Sequence, residues 1–81
     1  MKARVYVTLK TEVLDPQGEA VRRALHSLGF AGVQNARVGK LIELELSPAS
    51  PQTAATELRA MCEKLLANPI IEDFRFELDR G

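Results

Sequence analysis

Few residues in this sequence could carry chemistry. The only histidine is His26 and the only cysteine is Cys62. His26 lies on the polar side of a predicted helix and Cys62 on the apolar stripe of another, which favours a solvated histidine and a core thiol. The sequence has no paired-carboxylate, Ser-His-Asp or Cys-His arrangement, no glycine-rich phosphate loop and no metal-ligand spacing. We therefore predict that this chain carries no catalytic, cofactor-binding or metal-binding residues.

The turn Asp15-Pro16-Gln17-Gly18 is the most unusual local motif. Asp15 is typical of a helix N-cap, and Pro16 is suited to the first helical position because its missing N–H has no partner there. Gly18 is less expected, since a glycine inside a helix costs roughly 0.5–1 kcal/mol relative to alanine. Either the glycine merely eases the turn, or another backbone, a partner or a ligand comes close at this point.

Composition and charge limit the possible partners. Eleven basic residues balance eleven acidic ones, so the formal net charge is zero and there is no electrostatic footprint for nucleic acid. The sequence begins with a strand pattern and has no apolar stretch long enough to span a membrane, so we expect a soluble cytoplasmic protein. We predict one small domain, residues 1–81, whose marginal core favours association with other chains.

The hydrophobic pattern changes period several times along the chain. Alternation predicts a strand over residues 3–9, and helical spacing predicts a helix from Asp15 to a left-handed cap at Gly29. A second helix is predicted to start with Ser50 as N-cap and to end at Asn68-Pro69. The remaining strands are predicted over residues 33–38, 41–46 and 70–78, the first two joined by a type II′ turn at Gly39-Lys40.

This order of elements predicts an α+β fold. Right-handed crossovers place both helices on one face of a four-stranded antiparallel sheet, the ferredoxin-like βαββαβ arrangement in which the first and third strands pair centrally. The other face is then polar, and it is either solvated or a subunit interface. Arg37 fits this scheme poorly, because the predicted hairpin sets it opposite Ile42 on the core face. Either the register differs or Arg37 reaches past the core toward something else.

Other functions that share this topology can be compared with the sequence. An RNA-recognition module needs several exposed aromatic residues, and the outer face offers only Tyr6. The paired-cysteine loop of copper chaperones and the first-loop arginine of acylphosphatases are absent. An ACT-like domain that binds an amino acid remains as an alternative, although its Asp-x-Pro-Gly order differs from Asp15-Pro16-Gln17-Gly18.

Two separated motifs resemble the PurS family. The first runs from Val13 to Gly18 and is followed by Ala24-Leu25, Leu28-Gly29, Arg37-Val38-Gly39-Lys40 and Glu43. The second is Cys62-Glu63-Lys64-Leu65-Leu66-Ala67-Asn68-Pro69-Ile70-Ile71-Glu72-Asp73-Phe74. The resemblance covers essentially the whole chain.

The resemblance implies a specific role. PurS is the small subunit of phosphoribosylformylglycinamidine synthase, a glutamine-dependent carbon–nitrogen ligase of de novo purine biosynthesis. In this family the PurQ subunit releases ammonia from glutamine, and the PurL subunit uses ATP with Mg to convert formylglycinamide ribonucleotide to the amidine. PurS has no catalytic residues; it bridges the two partners, assists ammonia transfer and forms dimers or tetramers. We expect the same partners here, with no cofactor on this chain.

The family motifs also suggest where the larger subunits make contact. They map onto the turn at residues 15–18 and the hairpin at residues 37–40. Our hypothesis is that both segments form subunit contacts, because Gly18 is costly and Arg37 is awkwardly placed. The predicted contact residues are Asp15, Pro16, Gln17, Gly18, Arg37, Gly39 and Lys40.

Overall fold

The chain folds in the order β-α-β-α-β. The structure is a computed structural model that describes residues 1–47 and 51–79. Its elements are β1 (Lys2–Leu9), α1 (Pro16–Ser27), β2 (Lys40–Glu45), α2 (Pro51–Met61), a π-helical turn that continues α2 (Cys62–Leu66) and β3 (Glu72–Asp79). Both predicted helices and three of the four predicted strands are confirmed.

Within residues 1–47 and 51–79, the sheet has three antiparallel strands with β1 in the centre. Its order is β2-β1-β3, and Val5 pairs with Ile42 on one side and with Phe76 on the other. The predicted central pairing of residues 3–9 with residues 41–46 is therefore confirmed. Successive side chains of β1 point to opposite faces, so Ala3 and Val7 are buried together with Val5.

The predicted fourth strand is not shown. Residues 33–38 have no strand conformation, so the part of the chain that the structure describes forms a three-stranded sheet rather than a four-stranded one. The type II′ turn is also wrong. Lys40 already belongs to β2 and pairs with Val7, and Gly29 is the only residue with positive φ among those described. Gly39 instead lies against β1: a Cβ there would be 2.5 Å from the carbonyl oxygen of Val7.

The core lies between the sheet and α2. Its largest fully buried side chains are Leu58 and Cys62 from α2 and its π-helical turn, and Val5 and Val7 from β1. Half-buried side chains of β2, of the residue after it, of the π-helical turn and of β3 pack against the cluster: Ile42, Leu44, Leu46, Leu66, Phe74, Phe76 and Leu78. In the described part of the chain, this cluster contains no residue of α1.

α1 therefore does not cover the sheet as predicted. Val21 is 42% exposed and Leu28 is 72% exposed, although both belong to the apolar stripe that we assigned to the core. The Cα radius of gyration is 16.1 Å, whereas a compact chain of this length has about 12 Å. α1 thus lies away from the core and elongates the molecule instead of covering the sheet.

The ends of α1 follow the predicted helix signals. The Asp15 side chain caps the start, and Pro16 occupies the first helical position. At the other end Gly29 has φ of 98°, its N–H donates to the carbonyl of His26, and the Phe30 N–H donates to the carbonyl of Leu25. This pair of bonds is a Schellman motif. α2 begins at Pro51, and its predicted N-cap Ser50 lies outside the described residues.

Candidate functional site

Asp15 joins the start of α1 to the segment that returns to the sheet. Its side chain is buried: Oδ1 accepts a hydrogen bond from the Gly18 N–H at 2.9 Å, and Oδ2 accepts one from the Val38 N–H at 2.9 Å. The bonds from Gly18 and then Val38 hold the pKa of Asp15 below its ordinary value, because both stabilise the carboxylate. One carboxylate therefore links two backbone segments that are 23 positions apart in sequence.

Gly18 is required by the close approach of these same two segments. A Cβ on Gly18 would lie 2.2 Å from the carbonyl oxygen of Ala36 and 2.8 Å from Oδ2 of Asp15. Real Cβ atoms essentially never come within 3.0 Å of a heavy atom outside their own residue and its chain neighbours. Of the explanations that the sequence left open for this glycine, the structure shows the approach of another backbone.

Arg37 ties the returning segment to the end of β1. Its guanidinium donates to the carbonyl oxygen of Lys10 at 2.9 Å and to that of Leu9. These carbonyls lie at the point where β1 ends. Arg37 therefore reaches past the core, the second of the two alternatives that the sequence left open, and residues 33–38 do not form the strand that would have set it opposite Ile42.

We call the five residues Asp15, Gly18, Ala36, Arg37 and Val38 the α1 brace. The brace brings the two predicted contact segments, residues 15–18 and 37–40, into one surface. A shallow depression of about 250 Å³ on one side of it is lined partly by Asp15, Gln17, Gly39 and Lys40. A second depression of about 340 Å³ includes Asp15 and Arg37 in its lining. Of the predicted contact residues, Asp15 and Gly18 are buried, and Pro16, Gln17, Arg37, Gly39 and Lys40 are exposed.

The charged groups of the brace stabilise the fold and are not placed for catalysis. The Asp15 carboxylate is occupied by backbone N–H groups and the Arg37 guanidinium by backbone carbonyls, so neither is placed to exchange a proton with a substrate. Lys40 has a 3.9 Å ion pair with Glu72. Within residues 1–47 and 51–79, no group of three or more histidine, cysteine or acidic side chains is arranged to hold a metal ion.

The two residues with the most reactive side-chain types lie apart from the brace. Cys62 is fully buried, and burial raises the pKa of its thiol. His26 is exposed and its Nε2 lies 2.6 Å from the carbonyl oxygen of Val33. Because a carbonyl only accepts, Nε2 carries the proton and donates it in this bond. His26 thus holds the turn after α1 against the helix.

Charged and polar side chains on the outer face of the sheet pair with one another. The Tyr6 hydroxyl donates to Glu77 at 2.6 Å, and Arg4 forms a 3.5 Å ion pair with the same carboxylate. The Arg75 guanidinium stacks 3.9 Å from the centre of the Tyr6 ring. The hydroxyl of Tyr6 is the main cause that lowers the pKa of Glu77, and Arg4 adds to it. β1 and β3 are thereby linked through their side chains as well as through their backbones.

Sequence reasoning missed one surface, the uncovered apolar side of α1. Val21 lies in α1, Leu28 is its C-cap and Phe30 lies in the turn after it; they are 42%, 72% and 58% exposed, and we call these three residues the α1 stripe. Helical spacing shows that a face is apolar, but it does not show which body covers that face. The only signal in the sequence was the small size of the core that 81 residues can build.

Fold and site together define a class of protein. A small α+β chain that leaves large apolar side chains of its first helix and the following turn exposed is of the kind that associates with other chains, because exposed apolar surface marks interaction sites. No helix among the described residues is long and apolar enough to cross a membrane.

Comparison with known proteins gives the family. A family model described as PurS, phosphoribosylformylglycinamidine (FGAM) synthase, matches residues 2–80, and the chain belongs to this family. It is 50% identical over 78 residues to phosphoribosylformylglycinamidine synthase subunit PurS of Bacillus subtilis, covering 96% of this chain and 92% of that protein. The ACT-like alternative is therefore set aside.

Solved structures of PurS proteins are also similar to this chain. The chain superposes on Bacillus subtilis PurS with a TM-score of 0.86 and 49% identity, covering 98% of each chain. It also superposes on a chain in the structure of PurLQS from Thermotoga maritima with a TM-score of 0.85 and 32% identity, covering 94% of this chain and 93% of that one. The last of these relatives was solved as part of a multisubunit assembly.

Proposed function

We propose that this chain is the non-catalytic assembly subunit of a cytoplasmic phosphoribosylformylglycinamidine synthase. In this proposal it bridges a PurQ glutaminase and a PurL synthetase. The glutaminase supplies ammonia, and the synthetase uses ATP with Mg to convert formylglycinamide ribonucleotide to formylglycinamidine ribonucleotide. The match to the PurS family over residues 2–80 and the likeness to a chain of PurLQS support this role.

The observation that carries the assembly role is the exposed α1 stripe. A helix whose apolar face remains in water loses the burial that stabilises most protein helices, at roughly 25 cal/mol per Å² of apolar surface. Leu28 and Phe30 are more than half exposed, so covering them is favourable. We propose that a second copy of this chain covers the stripe in a homodimer or tetramer, because self-complementary two-fold contacts are the commonest form of oligomer.

The brace surface is proposed as the contact with the larger subunits. Pro16, Gln17, Gly39 and Lys40 are exposed around it. Asp15 and Gly18 lie beneath them and shape the surface from inside, while Arg37 anchors it to the end of β1. Oligomer contact and subunit contact are thereby assigned to different parts of the chain, the α1 stripe and the brace surface.

The proposal is tested by reconstituting the synthase with PurL and PurQ from the same organism. We expect glutamine-dependent synthesis to require this chain and to fall about tenfold with Leu28→Gln, since losing one buried leucine contact costs roughly 1.5 kcal/mol. Arg23→Gln is the matched control, because Arg23 is exposed on the polar side of α1. Sedimentation of each variant alone is expected to show dissociation only for Leu28→Gln.

A separate variant tests the brace surface. Gln17→Arg changes an exposed residue of this surface, so we expect it to leave the oligomer intact while weakening glutamine-dependent synthesis. Synthesis with added ammonia measures the synthetase alone and serves as the reference. The proposal fails if both glutamine-dependent and ammonia-dependent synthesis are the same with and without this chain. Isolation of the chain from its native cell alone, with an amino acid bound, would also contradict it.

A further inference from the structure

α1 is joined to the sheet by two connections that meet at one place. The first runs from the end of β1 to Asp15, and the second returns from the end of α1 to Lys40. They touch at the α1 brace, where Asp15 accepts from Val38 and where Arg37 donates to the carbonyls of Leu9 and Lys10. The backbones also approach so closely at Gly18 and Ala36 that a side chain does not fit between them.

The far end of α1 and the turn after it are held together by their own hydrogen bonds. The Schellman motif at Gly29 and the bond from His26 to the Val33 carbonyl bind the turn after α1 to the helix. These contacts lie within the helix and its own turn, so they do not orient α1 relative to the sheet. The core cluster of the described residues gives no such orientation either, because its members come from the sheet, from α2 and from the segment just after it.

We propose that the α1 brace is a positioning device that sets the direction in which α1 leaves the sheet. The helix has 12 residues, which corresponds to a length of about 18 Å. A swing of roughly 20° about the brace would move its far end by about 6 Å, more than a packed interface tolerates. The brace thus presents the α1 stripe in one orientation before any partner binds, and its effect on association rests on the proposed assembly function.

Two substitutions each remove a different contact of the brace. In Asp15→Asn one acceptor oxygen becomes an amide NH₂, which cannot accept a bond from the Val38 N–H. Asparagine caps helices as well as aspartate does, so the start of α1 is kept. Arg37→Met keeps most of the aliphatic stem of the side chain but removes the donors to the end of β1, and it does not touch the cap.

Matched controls remove the same charges from side chains that pair only within α1. Glu19 accepts ion pairs from Arg22 and Arg23, all three on the helix itself. Glu19→Gln is therefore the control for Asp15→Asn, and Arg23→Met is the control for Arg37→Met. Both controls change net charge and helix surface without changing any link between the two connections.

The orientation of α1 is measured as a distance between two spin labels. Ser27→Cys places one label at the last residue of α1, and Thr8→Cys places the other at an exposed position of β1. Native Cys62 is fully buried, so brief labelling leaves it unmodified, which the intact mass checks. Doubly labelled chains are diluted tenfold with unlabelled chains so that only distances within one chain are recorded.

We expect one narrow distance distribution in the parent chain and in both controls. In Asp15→Asn and Arg37→Met we expect the distribution to widen about twofold or its mean to shift by roughly 6 Å, with unchanged helix content by circular dichroism. If only a tenth of the chains then hold the competent orientation, the apparent dissociation constant of the oligomer rises about tenfold per chain.

Unchanged distance distributions in both brace variants would overturn the inference. So would a loss of helix content that accompanies the broader distances, because the residues would then act by folding α1 rather than by aiming it. The result is separable from the proposed function, since the distances are measured without PurL and PurQ. If the distances respond but the chain has no effect on the synthase, the proposed function fails and the positioning role stands.

Discussion

Replacing Gly18 by alanine tests the packing of the brace most directly. A Cβ at this position would lie 2.2 Å from the Ala36 carbonyl oxygen, so the first turn of α1 and the returning segment must separate by about 0.8 Å to reach even the shortest distance that real structures show. Overpacking costs about 1–3 kcal/mol, and a clash with a backbone carbonyl, which cannot rotate away as a side chain can, lies at the upper end of that range, about 2–3 kcal/mol. Alanine regains up to about 1 kcal/mol of helix propensity. We therefore expect a net loss of about 1–2 kcal/mol in the free energy of unfolding, which lowers Tm by roughly 4–16 °C in a domain of this size.

The assay is thermal and urea unfolding at one fixed chain concentration, because association contributes to the apparent stability. Gly32→Ala is the matched control: a Cβ there meets nothing within 4 Å. For this control we expect no loss, or a gain of about 0.4–1 kcal/mol, because alanine restricts the unfolded chain. The reasoning is refuted if Gly18→Ala is as stable as the parent chain or gains stability as Gly32→Ala does.

Three further predictions follow from the core, the helix surface and the sheet. Leu58 is fully buried and Leu65 is 82% exposed, so in urea unfolding we expect Leu58→Ala to cost about 2–5 kcal/mol and Leu65→Ala less than about 0.5 kcal/mol. The arginines of α1 lower the pKa of Glu19 from 4.5 to about 2. The stabilisation by the ionised Glu19 is therefore complete above about pH 4.5 and is lost as the pH falls through about 2. We expect the difference in urea midpoint between the parent chain and Glu19→Gln to shrink over that range. A Cβ on Gly39 would lie 2.5 Å from the Val7 carbonyl, so we expect Gly39→Ala to accelerate hydrogen exchange in β2, and unchanged exchange would contradict the close contact.

Local patterns predicted the regular elements well. The alternation around Val5 and Val7 identified β1, and the pairing of this strand between β2 and β3 is confirmed. The ends of α1 were predictable because capping depends on residues within one turn: Asp15, Pro16 and Gly29 have the predicted places. Helix caps and strand alternation depend on residues close together in sequence, so they can be predicted from one amino-acid sequence without a structure.

The fourth strand was predicted wrongly because its hydrogen-bonding groups have other partners. Residues 33–38 have the length of a short edge strand and a valine at each end, but the Val38 N–H donates to Asp15, far back in the chain. The glycine before Lys40 suggested a hairpin turn, whereas Gly39 is present because the Val7 carbonyl lies close. A glycine in sequence does not reveal whether it serves a positive φ or a close approach.

The residues of the candidate contact surface stay a prediction, but the structure adds their geometry. Family resemblance selected residues 15–18 and 37–40, and the structure brings them to one surface. Whether that surface contacts PurL or PurQ stays a prediction. The uncovered α1 stripe could not be predicted, because the same apolar spacing describes a helix buried in its own core and one left for a partner.

The sequence by itself therefore determined both helices, three of the four predicted strands, the central position of β1 and the family, since each depends on residue types read in order. Only the tertiary structure decided where α1 points and what Gly18 and Arg37 do. Those properties depend on contacts between segments about 20 or more positions apart, such as Asp15 with Val38 and Arg37 with Leu9. No local propensity reports such contacts, because they form only when the sheet brings both connections of α1 to one point.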